Sequence, residues 1–385
     1  MDRPQLLITP QLLLDIATLD RLLVPLSHPS ARWVIAVLHL LFLTALFSRY
    51  GILEDKEALK YVGCAQEVLR GDLTDLSGNY LKYASYVVFL IPFVAIGSPE
   101  PAVLAQIVLG ILAAWALAQW TRRLTGSQGA GTMAMTVLLL SYPIQQWALA
   151  LYTEYFFTSI LLLFLERISR HGRPDKWSYL LALIALTARP VGLLFVFPAF
   201  IWKLLVNDGA RHWKGSLTLG SAAVLLLAIL LPGIEHPQLA PIAEGHVVAG
   251  IPTNNGPTTE FEGSNIASAQ VHLLRNMPFS DWLGLTMERM TSFFTLHRPW
   301  YSNAHNMLIA PLYALYPLAL FAVFRRTDRD RDLLIQISFT YAVFIGLTHD
   351  EWSGRFLVPL LPTIILLAVL GAYQWSGGPA PPEGR

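Results

Sequence analysis

Residues 53–83 read LEDKEALKYVGCAQEVLRGDLTDLSGNYLKY, from Leu53 to Tyr83. The stretch lies between two strongly apolar segments and is crowded with charge. Glu54, Asp55 and Glu57 come directly after the first membrane-length segment. Tyr61 and Ala65 follow at helical spacing, then the turn Arg70-Gly71-Asp72, then Lys82 beside Tyr83. Charge at a membrane boundary is costly to bury and tends to mark pathways or reaction sites. The plain alternative is a solvated acidic loop, and the rest of the chain decides between them.

Outward from that stretch, the 385 residues are 54% hydrophobic and 14% charged, where soluble domains carry roughly 25% charge. With repeated long apolar runs, this predicts an all-α polytopic membrane protein whose first partner is the lipid bilayer. A net charge of +1 gives no footprint for nucleic acid. Cys64 is the only cysteine, so no internal disulfide forms and the redox compartment stays open. No small-residue cleavage site follows the first apolar run, so no cleavable signal is expected. Residues 1–30, broken by Pro4, Pro10, Pro25 and Pro29, read as a cytoplasmic interfacial segment.

Apolar segments of spanning or near-spanning length fall at 32–50, 101–120, 130–149, 153–166, 177–188, 191–206, 216–234, 306–324, 333–348 and 356–375. The run 83–97 is short and interrupted by Pro92, which suits a juxtamembrane helix. The distribution of cations supports this. If 83–97 does not cross and the N-terminus is cytoplasmic, the inner loops hold Arg122-Arg123; Arg167, Arg170, Arg173 and Lys176; Lys203, Arg211 and Lys214; and Arg325, Arg326, Arg329 and Arg331. The expectation is therefore about ten transmembrane helices with outer-face juxtamembrane helices and both termini inside. The core would span 31–234 with first outer loop 51–82, the second outer loop 235–305, the C-terminal helices 306–375 and the tail 376–385. Within 235–305, the GIPTNNGPTTEFEG part is expected to be mobile. Residues 279–296 should form an amphipathic helix on the membrane surface, with Leu283, Met287, Met290 and Phe294 on one face.

Several features recur in a set order. An acidic motif in the first outer loop is followed by helical Tyr61 and Ala65 and a Gly-Asp turn. A short helix comes next, then a second carboxylate in the bend Tyr152-Thr153-Glu154. An apolar hairpin pivots on Ala188-Arg189-Pro190, and an acidic-Arg motif precedes Pro-rich apolar sequence at the end. This order resembles the GT-C superfamily of integral-membrane glycosyltransferases, nearest to the protein O-mannosyltransferase and aminoarabinose-to-lipid-A transferase branch, over about 31–375. The resemblance implies a GT-C fold in the bacterial inner membrane and a polyprenyl-phosphate sugar as donor. It also implies inverting transfer on the periplasmic (outer) face to a glycan, lipid or protein acceptor. It puts the first acidic site on Glu54-Asp55, with Glu57 a rival four residues before Tyr61. The second falls on Glu154, and the lipid-phosphate contact on Lys82. The sequence departs from the family pattern at Tyr83 and Tyr155, where Pro is common, and at Arg355-Phe356, where Arg-Tyr is usual.

Glycosyl transfer needs the acceptor oxygen to lose a proton and the departing phosphate to be stabilised. A carboxylate serves the first need as general base or orienting acceptor. Asp55 is the leading candidate, with Glu54, Glu57 and Glu154 beside it. The competing reading of Asp55 is an N-cap for a helix over 56–69. The same carboxylates, Asp55 and Glu154 foremost, suit Mg or Mn through oxygen ligands, and metal use stays open. Cations for the phosphate are Lys82, Arg189, Arg298 and Arg355. Arg189 alternatively pairs with Glu154, and Arg355 with His349-Asp350-Glu351. Tyr61, His297, Trp300 and Tyr301 are candidates for the sugar and acceptor side, because aromatic faces stack on sugars; Trp300 and Tyr301 also suit an interface-anchoring role. His39 reads as a packing histidine. Breaks at Pro190 and Pro198, and at Pro359 and Pro362, suggest a groove for a lipid tail in 177–206 and 356–375.

Two rival classes stand against this. A lipid-sugar flippase or transporter would carry polar residues near the mid-plane of several spans, whereas here the charges gather at the outer rim. A non-catalytic GT-C-like subunit would tolerate loss of Asp55, Glu154 or Lys82, and all three are present.

Overall fold

The structure is a computed structural model that describes residues 24–72, 81–98, 100–171, 173–207, 213–231, 236–251, 261–324 and 329–375. Most of the 1–30 segment, residues 73–80 of the first loop, residues 252–260 of the second, Arg211, Arg325, Arg326 and the tail 376–385 lie outside the described residues.

The described chain is predominantly helical. Its helices are α1 Ala31–Tyr50, α2 Glu57–Leu69, α3 Ala84–Ala95, α4 Glu100–Thr125, α5 Gln128–Leu140, α6 Thr153–Arg170, α7 Lys176–Ala188 and α8 Leu193–Asn207. They continue as α9 Trp213–Leu230, α10 His236–Ala243, α11 Ile266–Asn276, α12 Phe279–Phe294, α13 Asn303–Ile309, α14 Leu315–Phe324, α15 Arg329–Leu347 and α16 Leu361–Trp375. A helix stands at each apolar segment read from the sequence, and α3 occupies the 83–97 run. Three helical stretches are long and apolar enough to cross a membrane: Ala31–Tyr50, Glu100–Thr125 and Asn303–Phe324. The others are shorter or carry charge, so length and composition alone leave the count of ten crossings open.

One expected segment divides. The apolar run 130–149 is helical only to Leu140. Ser141 is extended, and Tyr142–Gln145 and Gln146–Leu149 form single turns. Pro143 sits in the first turn after the break, a position that suits its missing N–H. This bend brings Leu149–Leu151 beside the first outer loop. Leu53 N–H donates to Leu149 O at 3.0 Å, and Leu151 N–H donates to Leu53 O at 3.1 Å.

One large core runs through the bundle, with a smaller one at α10 and α11, and α16 is among its most enclosed elements, with 361–371 buried throughout. It lies against α14 so closely that a Cβ at Gly371 would stand 1.9 Å from Leu318 O. Such backbone approach through a small residue is how helices associate in lipid. At the end of α4, Trp120 Nε1–H donates to Asp330 at 2.8 Å, and Arg123 pairs with Glu166.

The second outer loop is tied down by a two-residue parallel pairing of β1 Val248–Ala249 with β2 Asp350–Glu351. In α12 the buried side chains are Thr286, Arg289 and Phe293, whereas Leu283 and Met287 are exposed. An outward apolar face of this kind fits contact with lipid. Arg289 is enclosed because its guanidinium donates to His246 O at 2.8 Å and Ile242 O at 3.1 Å. His39 is buried with Nδ1 2.9 Å from Leu139 O, as expected for a packing residue.

Candidate active site

The first outer loop meets the start of α6. Asp55 is exposed and is not the N-cap of α2: that helix begins at Glu57, the N-cap position is Lys56, and no side chain caps it. Lys56 has φ 47°, the one positive φ outside glycine among the described residues. That backbone turns the Asp55 carboxylate away from the helix end, where it accepts from the Tyr152 hydroxyl at 3.2 Å. The same hydroxyl also lies 3.2 Å from Asp55 O. Burial, then the neighbouring Asp55 charge, pushes the Tyr152 phenol up to about 12, so it stays a donor. Glu54 is exposed, and Glu57 accepts from the Tyr61 hydroxyl at 3.3 Å.

Glu154 lies in the first turn of α6, where a helix N-terminus favours a carboxylate. It is only 2% exposed and ion-paired through Oε1 to Arg189 Nη1 at 2.8 Å and Arg355 Nη1 at 3.7 Å. Arg355 Nε is also 3.6 Å from Glu351 Oε1. Burial opposes the charge of Arg355, but Glu154 and Glu351 outweigh it, so its pKa is raised and the guanidinium stays charged. Arg189 is fixed by a tight turn. Its carbonyl accepts from Gly192 N–H at 2.9 Å, and a Cβ at Gly192 would come within 2.5 Å of Ala185 O. Both pairings foreseen for Arg189 and Arg355, with Glu154 and the acidic residues of 349–351, are present.

Tyr61 and Tyr83 close one side, with ring centroids 5.2 Å apart, and Tyr86 packs edge-on to Tyr61 at 5.4 Å. Burial raises the Tyr61 phenol, and Tyr83, Glu154 and Glu57 add to the shift. Burial likewise raises Tyr83, with Arg189, Glu57, Glu154 and Arg355 acting on it electrostatically. Tyr61, Tyr83, Glu57, Glu154, Arg189 and Arg355 are therefore near enough to act on one another electrostatically. Lys82 lies beside Tyr83 on the turn Leu81–Tyr83 and is half-buried.

Arg298 is placed differently. It is 4% exposed in a pair with Asp350, and its Nη1 donates to Ser292 Oγ at 2.8 Å. His297 is exposed, and Tyr301 stacks on His305 with centroids 3.9 Å apart. Trp300 Nε1–H donates to Trp352 O at 2.8 Å, next to Glu351. Sequence reading gave no chemical role to Tyr152 or Tyr83, and offered Glu351 only as one of the residues that could pair with Arg355. Their signal was weak: an aromatic beside a carboxylate, and a Glu four residues before an Arg.

Below the charged cluster is an apolar cleft of about 650 Å³ between α3, α4, α6 and α7. Ala84, Ser85, Phe156, Leu183 and Thr187 are among its walls. Val88, Val108, Leu112 and Leu183 are exposed along it, as residues facing lipid would be. The groove expected in 177–206 thus has a counterpart on α7. The enclosed α16 contributes nothing to it.

Among the described residues no three His, Cys, Asp or Glu side chains come together as a metal-binding group. Glu154, shared by two guanidinium groups, fits a metal poorly. Asp55, exposed beside Glu54, retains free oxygen donors.

No curated protein and no solved structure matches the chain. The part that carries the cleft, Glu154 and Arg189, residues 84–235 and so less than half the chain, matches the model of the dolichyl-phosphate-mannose-protein mannosyltransferase family, which bears out the GT-C membrane-glycosyltransferase resemblance over that part.

Proposed function

We propose that this protein moves a sugar from a polyprenyl-phosphate donor to an acceptor hydroxyl at the outer face of the bacterial inner membrane, with inversion. One observation carries the reading: the walls of the apolar cleft and the charged side chains stand on the same segments, a few residues apart. Ala84 and Ser85 follow Lys82 within three residues, Thr187 stands two before Arg189, and Phe156 two after Glu154. An apolar trough with cations close by fits an isoprenoid chain bearing a phosphate.

In this reading the tail lies in the cleft and the phosphate meets Lys82, with Arg189 and Arg355 held towards it by Glu154. Asp55, steadied by Tyr152, takes the proton of the acceptor hydroxyl as its oxygen attacks the anomeric carbon. The bond from that carbon to the phosphate oxygen breaks, and the arginines stabilise the charge that develops on the leaving phosphate. A single displacement with one base inverts the anomeric configuration. Glu154 then acts by positioning arginines rather than by accepting the proton. The full set of ten crossings, with both termini inside, belongs to the same proposal.

The test is transfer from radiolabelled polyprenyl-phosphate sugars by purified protein, comparing wild type with Asp55→Asn, Glu57→Gln and Glu154→Gln. Asp55→Asn is expected to lose about 10²–10⁴-fold in rate while remaining folded. Survival of Asp55→Asn with loss in Glu57→Gln would move the base by two residues. A donor that binds but is never turned over by wild type would favour the flippase or the non-catalytic subunit.

A further inference from the structure

Beside the candidate base stand two exposed tryptophans. Trp352 is 47% exposed and Trp300 41% exposed. They are mechanically linked, because Trp300 donates its indole N–H to the Trp352 carbonyl. Trp352 stands on a rigid base. Asp350 and Glu351 before it are buried and strand-paired with Val248 and Ala249, and Glu351 receives the Ser353 N–H at 2.8 Å. The main chain around Trp352 is thus anchored while its indole stays open above.

The second observation comes from the other side of the rim. Lys56, next in the chain to Asp55, holds its Nζ 5.2 Å from the Trp352 ring centroid. It does so from a positive φ that a residue with a Cβ adopts only at a cost. Strain of this kind persists where surroundings over-determine it and clusters at ligand sites. Asp55, Lys56 and the two indoles therefore form one continuous face: a carboxylate, an ammonium, then an aromatic platform.

We propose that this face is the acceptor subsite and that it takes a saccharide, one pyranose stacking on Trp352 and Trp300 while Lys56 donates hydrogen bonds to its oxygens. This rests on the transferase reading and narrows its acceptor to a glycan. A pyranose offers a flat apolar face that suits an indole and a ring of oxygens that suits an ammonium. A Ser or Thr side chain in an extended peptide offers neither. Glu54 and Asp55 on the same loop disfavour a polyanionic acceptor and leave a neutral sugar as the best match.

The test is calorimetric titration of the full-length protein in lipid nanodiscs, without donor, using neutral tetrasaccharides of glucose, of mannose and of N-acetylglucosamine, and a Ser/Thr-rich octapeptide. At least one tetrasaccharide should bind. Trp352→Ala should weaken it tenfold or more, and Trp352→Phe should restore most of the affinity. Lys56→Gly, which suits the positive φ and removes only the ammonium, should weaken binding three- to tenfold in a protein at least as stable as wild type. Absence of binding by all three sugars, indifference to Trp352→Ala and Lys56→Gly, or preference for the peptide would each overturn the proposal. Because no donor is present, failure of the transferase reading shows separately, as loss of polyprenyl-phosphate sugar turnover with saccharide binding intact.

Discussion

The Glu154 carboxylate and the Arg189 guanidinium meet at 2.8 Å, at 2% and 8% exposure, where α6 begins and α7 ends. A buried pair of this kind contributes little net stability as a pair, but removing one partner leaves the other charge uncompensated. Glu154→Gln strands Arg189 and leaves Arg355 with Glu351 alone. It should lower stability by about 3–5 kcal/mol, read as a fall in melting temperature in detergent. Glu154→Asp should recover part of that loss. A melting temperature equal to wild type for Glu154→Gln would show that the arginines have other anions.

The buried Arg298–Asp350 pair makes a parallel case away from the charged cluster. Asp350→Asn should destabilise by a similar amount, about 3–5 kcal/mol. The double variant Arg298→Met, Asp350→Leu should be closer to wild type than either single change. Equal losses in the double and single variants would argue that the pair does more than satisfy itself.

Tyr152 gives a pH signature. Its phenol is raised to about 12 in the fold by burial and by Asp55, against an ordinary value of about 10. A raised folded-state pKa stabilises below the unfolded value, and that stabilisation is lost as pH rises through the folded one. The stability advantage of wild type over Tyr152→Phe should therefore hold at neutral pH and shrink between about pH 10 and 12. A constant difference across that window would remove the Asp55 contact from consideration.

The cleft predicts a split in kinetic constants. Ala105→Trp places an indole among its walls. It should raise KM for a long-chain polyprenyl-phosphate donor about tenfold, and change KM for a short-chain analogue much less. Equal effects on both donors would mean that the tail lies elsewhere.

Sidedness is open to labelling. In a Cys64→Ala background, a membrane-impermeant maleimide applied from outside should reach Ser302→Cys and miss Arg173→Cys, both exposed in the fold. The reverse pattern would put the charged cluster on the inner face.

Much of the helical layout was legible because apolar runs are local properties: a helix stands at each run, although α3 continues through Pro92, which reads from sequence as an interruption. The end of the helix at Leu140 was missed because the apolar run continues past it; only Pro143 hinted at a break. The acidic loop was read as a site, but Asp55 was also read as a cap. The positive φ of Lys56, which no residue-type preference announces, directs that carboxylate to Tyr152. The Arg298–Asp350 and Asp55–Tyr152 contacts join residues 52 and 97 positions apart, and one sequence carries no sign of such pairings. Arg289 shows the same limit: a cation on an amphipathic helix reads as solvent-facing, and two carbonyls of the preceding segment draw it inside.

The backbone bonds that join Leu53 to Leu149 and Leu151 bracket a span ending three residues before Glu154 and starting two before Asp55. The two carboxylates are thereby carried on one stitched piece of main chain. Thermal motion of either loop moves both, so their separation behaves as a ruler. In the transferase proposed above, a ruler of fixed length would select acceptors by reach: hydroxyls set too far from the phosphate-bearing carbon would be refused by geometry, whatever their chemistry.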